Sequence, residues 1–283
     1  MNKLYSPIQV PFMFYYNKTE EIKSSPLTPY HRHNAYEVFL FLGGSRRMCI
    51  EDACYACHPG DLFVIGPNQL HAGFCDEACT YERLIVNVKQ EFLEALSRDG
   101  VDFTACFEET AVPVRHIRLS PEECRKIKAL YEAIEETGKQ PEFGQNLLRE
   151  TYIIQLFILI NRWFGREENR RESENVMPQI VSEMMTYIKE NAAEDISLGR
   201  LSKEFYFDSR YLSKLFKEYT GLTLRTYLMD CKMALAKQLL REGWSVSEVC
   251  QRSGFNDYAN FLRSFKNYVG VSPGRYARWE KSI

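Results

Sequence analysis

The stretch Phe216–Thr223 reads FKEYTGLT, and it decides the fold of the C-terminal part of the chain because it occurs twice. Phe265–Ser272, 49 residues further on, reads FKNYVGVS, and four of the eight paired positions are identical. Before each copy the pattern predicts a short helix and a turn, and each copy ends a longer helix at glycine. This arrangement is the helix-turn-helix unit, used twice in one chain.

Capping signals set the expected bounds of the surrounding helices. Gly243 ends the longest one, and Ser245-Val246-Ser247-Glu248 is a capping box, in which serine and glutamate satisfy free N–H groups at a helix start. The helices expected in this half are Met177–Asn191, Ser197–Phe205, Asp208–Tyr219, Thr223–Glu242, a short helix from Ser245, Asn256–Tyr268 and a short helix opened by Ser272-Pro273. Residues 176–283 are therefore predicted to form an all-α domain.

The charge of the chain is divided unevenly. Its 283 residues carry 36 Lys and Arg against 38 Asp and Glu, and 45% of them are hydrophobic, which excludes a disordered, collagen-like or wholly basic chain. Residues 1–175 hold 20 basic and 26 acidic side chains, whereas residues 176–283 hold 16 and 12. An acidic part joined to a basic part is typical of a sensing or catalytic module fused to an anion-binding one.

The chain opens without a charged and then apolar leader, and its longest apolar run, Ile153–Ile160, is too short to span a bilayer. We therefore expect a cytoplasmic protein with no membrane partner. Six of the nine cysteines and all five histidines lie in the first 120 residues. In a cytoplasmic protein these cysteines are expected to be thiols or metal ligands rather than a disulfide framework.

Residues 1–119 are predicted to form an all-β sandwich or barrel. Short runs rich in β-forming residues are separated by turns containing glycine and proline, which is the pattern of such folds. The expected strands are Glu37–Leu42, Arg46–Ile50, Tyr55–Cys57, Leu62–Ile65 and Tyr81–Val88.

Residues 120–165 are predicted to form two helices. The first begins at the capping box Ser120-Pro121-Glu122-Glu123, and the second runs from about Gly144 to Phe164. The second half of the latter is apolar on most faces, so it must be buried on the barrel or against a partner chain. We favour the partner and expect a homodimer seam here. Residues 166–175 contain no apolar side chain and are predicted to be a linker.

The second helix of a helix-turn-helix unit enters the DNA major groove, where Arg and Lys donate to guanine and Asn pairs with adenine. Apolar periodicity leaves polar side chains outward on both units. They are Ser209, Arg210, Ser213 and Lys214 in the first, Asp257, Tyr258, Asn260 and Arg263 in the second, and the phosphate-reaching Lys217 and Lys266. The alternative is that these are ordinary solvated helix faces, but the same arrangement in two copies favours DNA.

These residues resemble the DNA-binding domain of AraC/XylS-type transcription regulators over about 100 residues. The matching positions are Leu201, Tyr211-Leu212, Phe216-Lys217, Thr220-Gly221 and Tyr227-Leu228, then Val249, Gly254-Phe255, Phe261, Phe265-Lys266, Gly270-Val271-Ser272-Pro273 and Tyr276. Ser202 and Cys250 stand where the family usually has Ala, and Ala277 stands where Arg is common, which removes one backbone contact.

The resemblance implies two recognition helices held by the long central helix Thr223–Glu242. It carries the base-reading role to Arg210, Ser213 and Lys214 and to Tyr258, Ala259, Asn260 and Arg263. It further implies double-stranded DNA and RNA polymerase as partners, a homodimer, and a role as an effector-responsive activator of metabolic genes. The effector class that it implies is a small molecule such as a sugar or a related metabolite.

Residues of the N-terminal part resemble the two motifs of the cupin barrel. The motifs are His31, His33, Glu37 and Gly44, then Pro59-Gly60-Asp61, Pro67 and His71. In metal-binding cupins the residues that match His31, His33, Glu37 and His71 hold a divalent metal, and three imidazoles with a carboxylate suit Fe, Mn, Ni or Zn. In regulators of the family above, the same positions line an effector pocket without a cofactor. Phe14, Tyr36 and Phe39 are expected to complete that pocket.

Two functions therefore stay open beside each other. We favour a regulator that is not an enzyme, and the alternative is a metal-dependent cupin enzyme of dioxygenase or isomerase type fused to a DNA-binding domain. A DNA-binding protein that responds to no ligand is a third reading.

Four cysteines, Cys54, Cys57, Cys75 and Cys79, superficially have the spacing of a zinc site. Cys54 and Cys57 are three positions apart and should face opposite sides of one strand, so they cannot share a metal without a bulge. Cys75 and Cys79 flank a turn and are candidates for a redox-responsive pair. We favour plain strand cysteines.

Overall fold

The computed structural model describes residues 11–21, 26–75, 78–108, 116–139, 141–166 and 175–280. Its N-terminal part is built from antiparallel strands. They are β1 (Phe12–Glu21), β2 (Pro26–His31), β3 (Ala35–Gly43), β4 (Arg46–Ile50), β5 (Ala53–Ala56), β6 (Asp61–Ile65), β7 (His71–Cys75), β8 (Cys79–Lys89) and β9 (His116–Arg118).

The strands form two sheets that face each other as a cupin-like barrel. The five-stranded sheet has the order β1-β8-β3-β6-β9 and the four-stranded sheet has the order β2-β7-β4-β5. Phe39 and Phe63 of the first sheet share a buried cluster with Met48 and Ile50 of the second, so this cluster is the barrel interior. The predicted all-β fold is confirmed.

The outer face of the five-stranded sheet is covered by helices. These are α1 (Gln90–Leu96), α2 (Pro121–Gly138) and α3 (Gln145–Phe164), with a 3₁₀ turn at Ala105–Phe107. The capping box of Ser120 and Glu123 is present at the start of α2. Leu156, Phe157 and Ile160 of α3 lie in the same buried cluster as the strand residues Val38 and Val86.

The burial of α3 corrects one expectation. We assigned the apolar second half of this helix to a partner chain, but it lies against the barrel of its own chain. The reason is that alternate side chains of β3, β6 and β8 make the outer face of the sheet apolar, and this face needs a cover. The sequence pattern shows that a helix is buried but not what buries it.

The C-terminal part is helical, as predicted. Its helices are α4 (Gln179–Glu190), α5 (Leu198–Phe205), α6 (Ser209–Thr220), α7 (Leu224–Arg241), α8 (Val246–Arg252), α9 (Tyr258–Val269) and α10 (Pro273–Glu280). The pairs α5–α6 and α8–α9 are the two helix-turn-helix units, and α7 connects them. Gly254 in the second unit has φ +73°, and a Cβ there would lie 2.4 Å from the Ala193 carbonyl oxygen, so only glycine fits this turn. Residues 167–174 of the expected linker lie outside the described residues.

One face of the four-stranded sheet lines the barrel interior, and the other face packs against the C-terminal helices. Tyr30, Ala72 and Phe74 of this sheet share a buried cluster with Met184 of α4 and Leu212 of α6. The barrel is therefore covered by α2 and α3 on one side and by the helix-turn-helix part on the other. No described helix is long and apolar enough to cross a membrane.

The cysteines differ in part from expectation. Cys49 and Cys54 lie directly opposite each other on β4 and β5 and form a disulfide, so the prediction of thiols is wrong for this pair. Cys54 and Cys57 belong to different buried clusters, which confirms that they face opposite sides. The Cys75 and Cys79 sulfur atoms lie 3.6 Å apart, at hydrogen-bond distance, and both residues are free thiols rather than a disulfide.

Candidate functional sites: two helix surfaces and a barrel cavity

The first surface is the outer side of α6. Leu212 and Phe216 have no exposed surface, so helical periodicity turns the opposite side of the helix to solvent. The residues on that side are the exposed Arg210, Lys214 and Lys217 and the half-buried Ser209 and Ser213.

The second surface is the outer side of α9, which repeats this arrangement. Phe261 and Phe265 are fully buried. The residues around them that we assigned to DNA are all exposed, namely Tyr258, Ala259, Asn260, Arg263 and Lys266. The residues assigned on α9 are all exposed, as expected, whereas on α6 the three basic side chains are exposed and the two serines are half-buried. The contact of both helices with bases stays a prediction.

An aspartate caps the N-terminus of each recognition helix. The Asp208 carboxylate accepts the backbone N–H groups of Arg210 and Tyr211 at 2.9 and 3.3 Å, and Asp257 accepts that of Asn260. Such caps stabilise a helix start by roughly 1 kcal/mol and fix its first turn. The side chains that a groove would meet first are therefore held on ordered backbone.

The central helix α7 contributes to the cores of both units. Tyr227 of α7 packs on Phe216 of the first unit with ring centroids 5.4 Å apart. Met233 and Leu240 lie in the buried cluster that contains Phe261 and Phe265. One rigid helix therefore sets the separation of the two recognition helices, which is what reading two successive major grooves requires.

A cavity of about 180 Å³ lies inside the barrel. Its walls carry two groups of polar side chains, His31, Glu37 and His71 and then Arg46, Tyr81 and Arg83. Phe39 also lines it, and His33 adjoins it through a contact with Glu37. Five of the residues predicted for this site are thus brought together.

Phe14 and Tyr36 do not line the cavity, which corrects our expectation. Side chains alternate across a strand, so Glu37 and Phe39 face the barrel interior while Tyr36 faces the helical cover. Phe14 also lies on that side and packs on Tyr131 of α2 with ring centroids 5.3 Å apart. The pairing of β1 with β8 decides that Phe14 lies on the helix-covered face, and the sequence did not show this pairing.

Glu37 is the charged centre of the histidine cluster. His33 Nε2 lies 3.0 Å from Glu37 Oε2 and His33 Nδ1 lies 3.1 Å from the Ala35 carbonyl oxygen, so each ring nitrogen faces a hydrogen-bond acceptor. Burial acts to raise the pKa of Glu37, but the His33 hydrogen bond and the neighbouring imidazoles lower it to about 2. Glu37 is therefore a carboxylate at physiological pH.

His71 has the opposite character. Burial lowers its pKa to about 3 although Glu37 acts in the other direction, so its ring is neutral at physiological pH. Its Nδ1 lies 2.9 Å from the Gln69 carbonyl oxygen, which leaves a bare Nε2. That Nε2 is buried and has no hydrogen-bond partner among the described residues.

The three histidines are also arranged to hold a metal ion. Ligand nitrogen atoms of His31, His33 and His71 all lie within 4.8 Å of one another, and the Glu37 carboxylate adjoins them. The bare Nε2 of His71 fits a metal ligand, since a coordinating imidazole must offer a lone pair. The donor set therefore fits a divalent metal as well as a hydroxyl-bearing small molecule.

The sequence did not predict the contact between the barrel and α7. Arg32, which lies between two histidines of the cluster, forms a buried ion pair with Asp230 of α7 and donates to the Asn68 carbonyl oxygen at 2.8 Å. Lys237 of α7 donates to Asn68 Oδ1 at 2.7 Å, and the Tyr268 hydroxyl of α9 donates to Asp230. A cavity of about 400 Å³ adjoins these groups.

One signal for this contact was present in the sequence. Alternation along a strand places a residue between two cavity histidines on the opposite face, and Arg32 is charged there. Asp230 gave no comparable signal, because the partner 198 residues away is set by tertiary packing.

Two family models match the chain. An AraC-like ligand binding domain matches residues 20–157, and a helix-turn-helix domain matches residues 201–278. These spans coincide with the barrel and its helical cover and with the two helix-turn-helix units, so the chain combines a ligand-binding module with a DNA-binding one. The chain belongs to the AraC family of DNA-binding transcription regulators that carry an effector-binding domain.

Relatives extend over most of the chain. The transcriptional activator RhaS of Salmonella heidelberg is 23% identical over 248 residues, 87% of this chain and 86% of its own. A DNA-binding transcriptional dual regulator from Escherichia coli K-12 matches 39% of this chain and 100% of its own, with 26% identity and a TM-score of 0.36. ToxT from Vibrio cholerae, solved with an unsaturated fatty acid, matches 94% of both chains with 14% identity and a TM-score of 0.36.

Arg210→Ala and Arg263→Ala are each expected to weaken binding to cognate DNA by about 1–3 kcal/mol and to relax the base preference at one position, because a bidentate arginine–guanine contact contributes that much. Competition binding against a selected site and its single-base variants measures both effects. Arg125→Ala, on the exposed side of α2, is the matched control and should bind like the wild type. Wild-type affinity in both recognition-helix variants would show that the assignment is wrong.

Proposed function

We propose that this protein is a homodimeric, effector-responsive transcription activator that acts in the cytoplasm on metabolic genes together with RNA polymerase. Residues 1–119 bind the effector, residues 120–165 dimerise, and residues 176–283 read DNA. The observation that carries the proposal is that one four-stranded sheet has the cavity on one face and the DNA-reading part on the other. The name of the Salmonella relative, a transcriptional activator, supports activation.

DNA is read by two recognition helices in each chain. Arg210 and Lys214 on α6 and Asn260 and Arg263 on α9 supply the donors that recognise guanine and adenine edges in the major groove. Lys217 and Lys266 lie further along the helices and bind phosphates, which makes the affinity fall steeply with salt. A dimer then binds two half-sites.

The four-stranded sheet, which contacts both the cavity and the helical part, would couple effector binding to DNA binding. An effector changes DNA binding only if it favours one arrangement of the two parts over another. His31 faces the cavity and Arg32 faces Asp230, so a shift of β2 on ligand binding changes the ion pair directly. Asp230 also accepts from Tyr268 of α9, so the second recognition helix is part of the same network.

Arg32→Ala is expected to destabilise the folded chain by about 3–5 kcal/mol, because it leaves the fully buried Asp230 as an uncompensated charge. Calorimetry should then resolve two unfolding transitions where the wild type shows one, since the barrel and the helical part separate first. The double variant Arg32→Leu with Asp230→Leu should recover much of the stability but not the response of DNA binding to effector.

The matched control for this prediction is Arg166→Ala. Arg166 pairs with Glu123 at 2.8 Å on the surface of a single part of the chain, and loss of such an exposed pair has little effect. If Arg32→Ala unfolds at the same temperature as Arg166→Ala, the buried pair does not join the two parts.

The dimer surface is proposed to lie on the start of α3. The inner side of this helix is covered by the barrel, but Leu147 and Leu148 are 66% and 45% exposed. Half-buried Ile154 and Ile158 continue the stripe at helical spacing, and Phe143 stands exposed before it. A second copy of this stripe is its partner, because an isologous contact buries both stripes at once.

Leu147→Glu combined with Leu148→Glu is expected to convert the dimer into a monomer. Burial of one leucine contributes about 1.5–3 kcal/mol, so the loss of two on each side raises the dissociation constant of the dimer by well over tenfold. Sedimentation equilibrium measures the mass, and Glu135→Lys on the exposed side of α2 is the charge-changing control. A double variant that stays dimeric would place the seam elsewhere.

A metal-dependent cupin enzyme is the second candidate, favoured by the three clustered imidazoles. When bound, a divalent metal would supply Lewis-acid or redox chemistry, with His31, His33, His71 and Glu37 as its ligands.

For a regulator we expect elemental analysis of the purified protein to find metal well below one equivalent per chain. His71→Gln should then leave the metal content unchanged. A full equivalent that is lost in His71→Gln, together with metal-dependent turnover, would favour the enzyme.

A further inference from the structure

Arg46 is a buried cation in the wall of the barrel cavity. Only 6% of the surface of Arg46 is exposed. Its Nε and Nη2 atoms are buried and have no hydrogen-bond partner among the described residues. Buried guanidinium donors are normally paired, because an unmet hydrogen bond to a charged group is costly. Something outside the described residues is therefore expected to supply oxygen atoms there.

The two unpaired atoms share one edge of the guanidinium plane. Nε–H and one Nη2–H point the same way from that edge and match the two oxygen atoms of a carboxylate or a phosphate. A single hydroxyl group cannot satisfy both donors in this parallel geometry. Two neighbouring hydroxyl groups of a sugar could accept from the same two donors, but only an anion also neutralises the buried positive charge of Arg46. The site therefore favours an anion over a neutral sugar.

The guanidinium group is held in place on both sides. Its Cζ lies 3.6 Å from the centre of the Tyr81 ring. Gly73 of β7 lies beside it, where a Cβ would come within 3.2 Å of Nη1. A group fixed in this way loses little freedom on binding, which is how a preorganised ligand site differs from a mobile surface arginine.

Other groups in the cavity fit the same ligand. The Tyr81 hydroxyl is also buried without a partner among the described residues, and the Arg83 guanidinium lies 4.4 Å from the centre of the same ring. Glu37 lines the same cavity, and its carboxylate can accept hydrogen bonds from hydroxyl groups of a ligand. The cavity volume of about 180 Å³ equals roughly six water molecules, so the ligand is small.

We propose that the effector is a small hydroxylated metabolite that carries a carboxylate or a phosphate, bound side-on by Arg46 Nε and Nη2 with its hydroxyl groups toward Glu37. The inference rests on the proposed effector function of this cavity and names its ligand class. Tyr81 positions the guanidinium and donates from its hydroxyl group to the anion.

A matched three-carbon series tests this class. Glycerol, glycerate and glycerol phosphate share one skeleton and differ in their charged group, and inorganic phosphate completes the set. We expect calorimetric titration of the full chain at fixed ionic strength to detect glycerate or glycerol phosphate and not glycerol. The acid that binds distinguishes carboxylate from phosphate.

Variants then locate the anion. Arg46→Lys keeps the positive charge but loses the parallel donors, and it should weaken anion binding at least tenfold, as should Arg46→Met. Arg98→Met, which removes an exposed arginine, is the control and should bind as the wild type does. Circular dichroism and DNA affinity without ligand confirm that each variant is folded.

Four outcomes would overturn the inference. Neither acid nor phosphate binds the wild type, or glycerol binds it as tightly as the acids. An affinity that survives Arg46→Met but is lost in Lys237→Met would place the anion in the cavity between the barrel and α7. Anion binding that appears only in Asp76→Asn with Glu77→Gln would show that the chain's own carboxylate, outside the described residues, occupies Arg46.

The same experiments distinguish failure of the anion site from failure of the proposed effector function. If glycerol or another neutral ligand binds and shifts DNA affinity, the cavity is an effector site of a different class. If no ligand affects DNA affinity while anions bind at Arg46, the anion site stands and the effector function fails.

Discussion

The alternation of side chains across one four-stranded sheet is the constraint on which the rest of the molecule depends. On β2, His31 faces the barrel cavity while Tyr30 faces the helix-turn-helix part, and on β7 His71 and Phe74 divide in the same way. The cavity and the contact with the helix-turn-helix part therefore lie on the two faces of a single sheet. The same two strands therefore contribute side chains both to the cavity and to the contact with the helix-turn-helix part.

The Arg32–Asp230 ion pair joins the residue that follows β2 to helix α7. Buried ion pairs add little net stability compared with apolar packing, but they tolerate few alternative arrangements, since a separated partner is a buried charge. Asp230 lies on α7, which contributes to the cores of both helix-turn-helix units, and it also accepts from Tyr268. The pair thus fixes the barrel to the element that sets the spacing of the recognition helices.

Local signals predicted much of the fold and of the DNA-reading surface. The repeated octapeptide, the capping boxes and the glycine at each helix end act within a few residues, so the helices and the outward side of Arg210 and Arg263 follow from sequence alone. Other features depend on which distant surfaces meet. They are the sheet that buries α3, the placement of Tyr36, the Cys49–Cys54 disulfide and the ion-pair partner of Arg32. Arg46 was missed because an arginine in a strand is ordinary until its unmet donors are seen.

Thermodynamic linkage between effector and DNA tests the central claim most directly. The affinity of the full chain for its effector is measured by calorimetry with and without saturating cognate DNA. If the shared sheet couples the two sites, the two affinities differ by roughly 5- to 150-fold, and the effector changes DNA affinity by the same factor. Equal effector affinities in the two titrations would contradict the account, since the cavity and the recognition helices would then be independent.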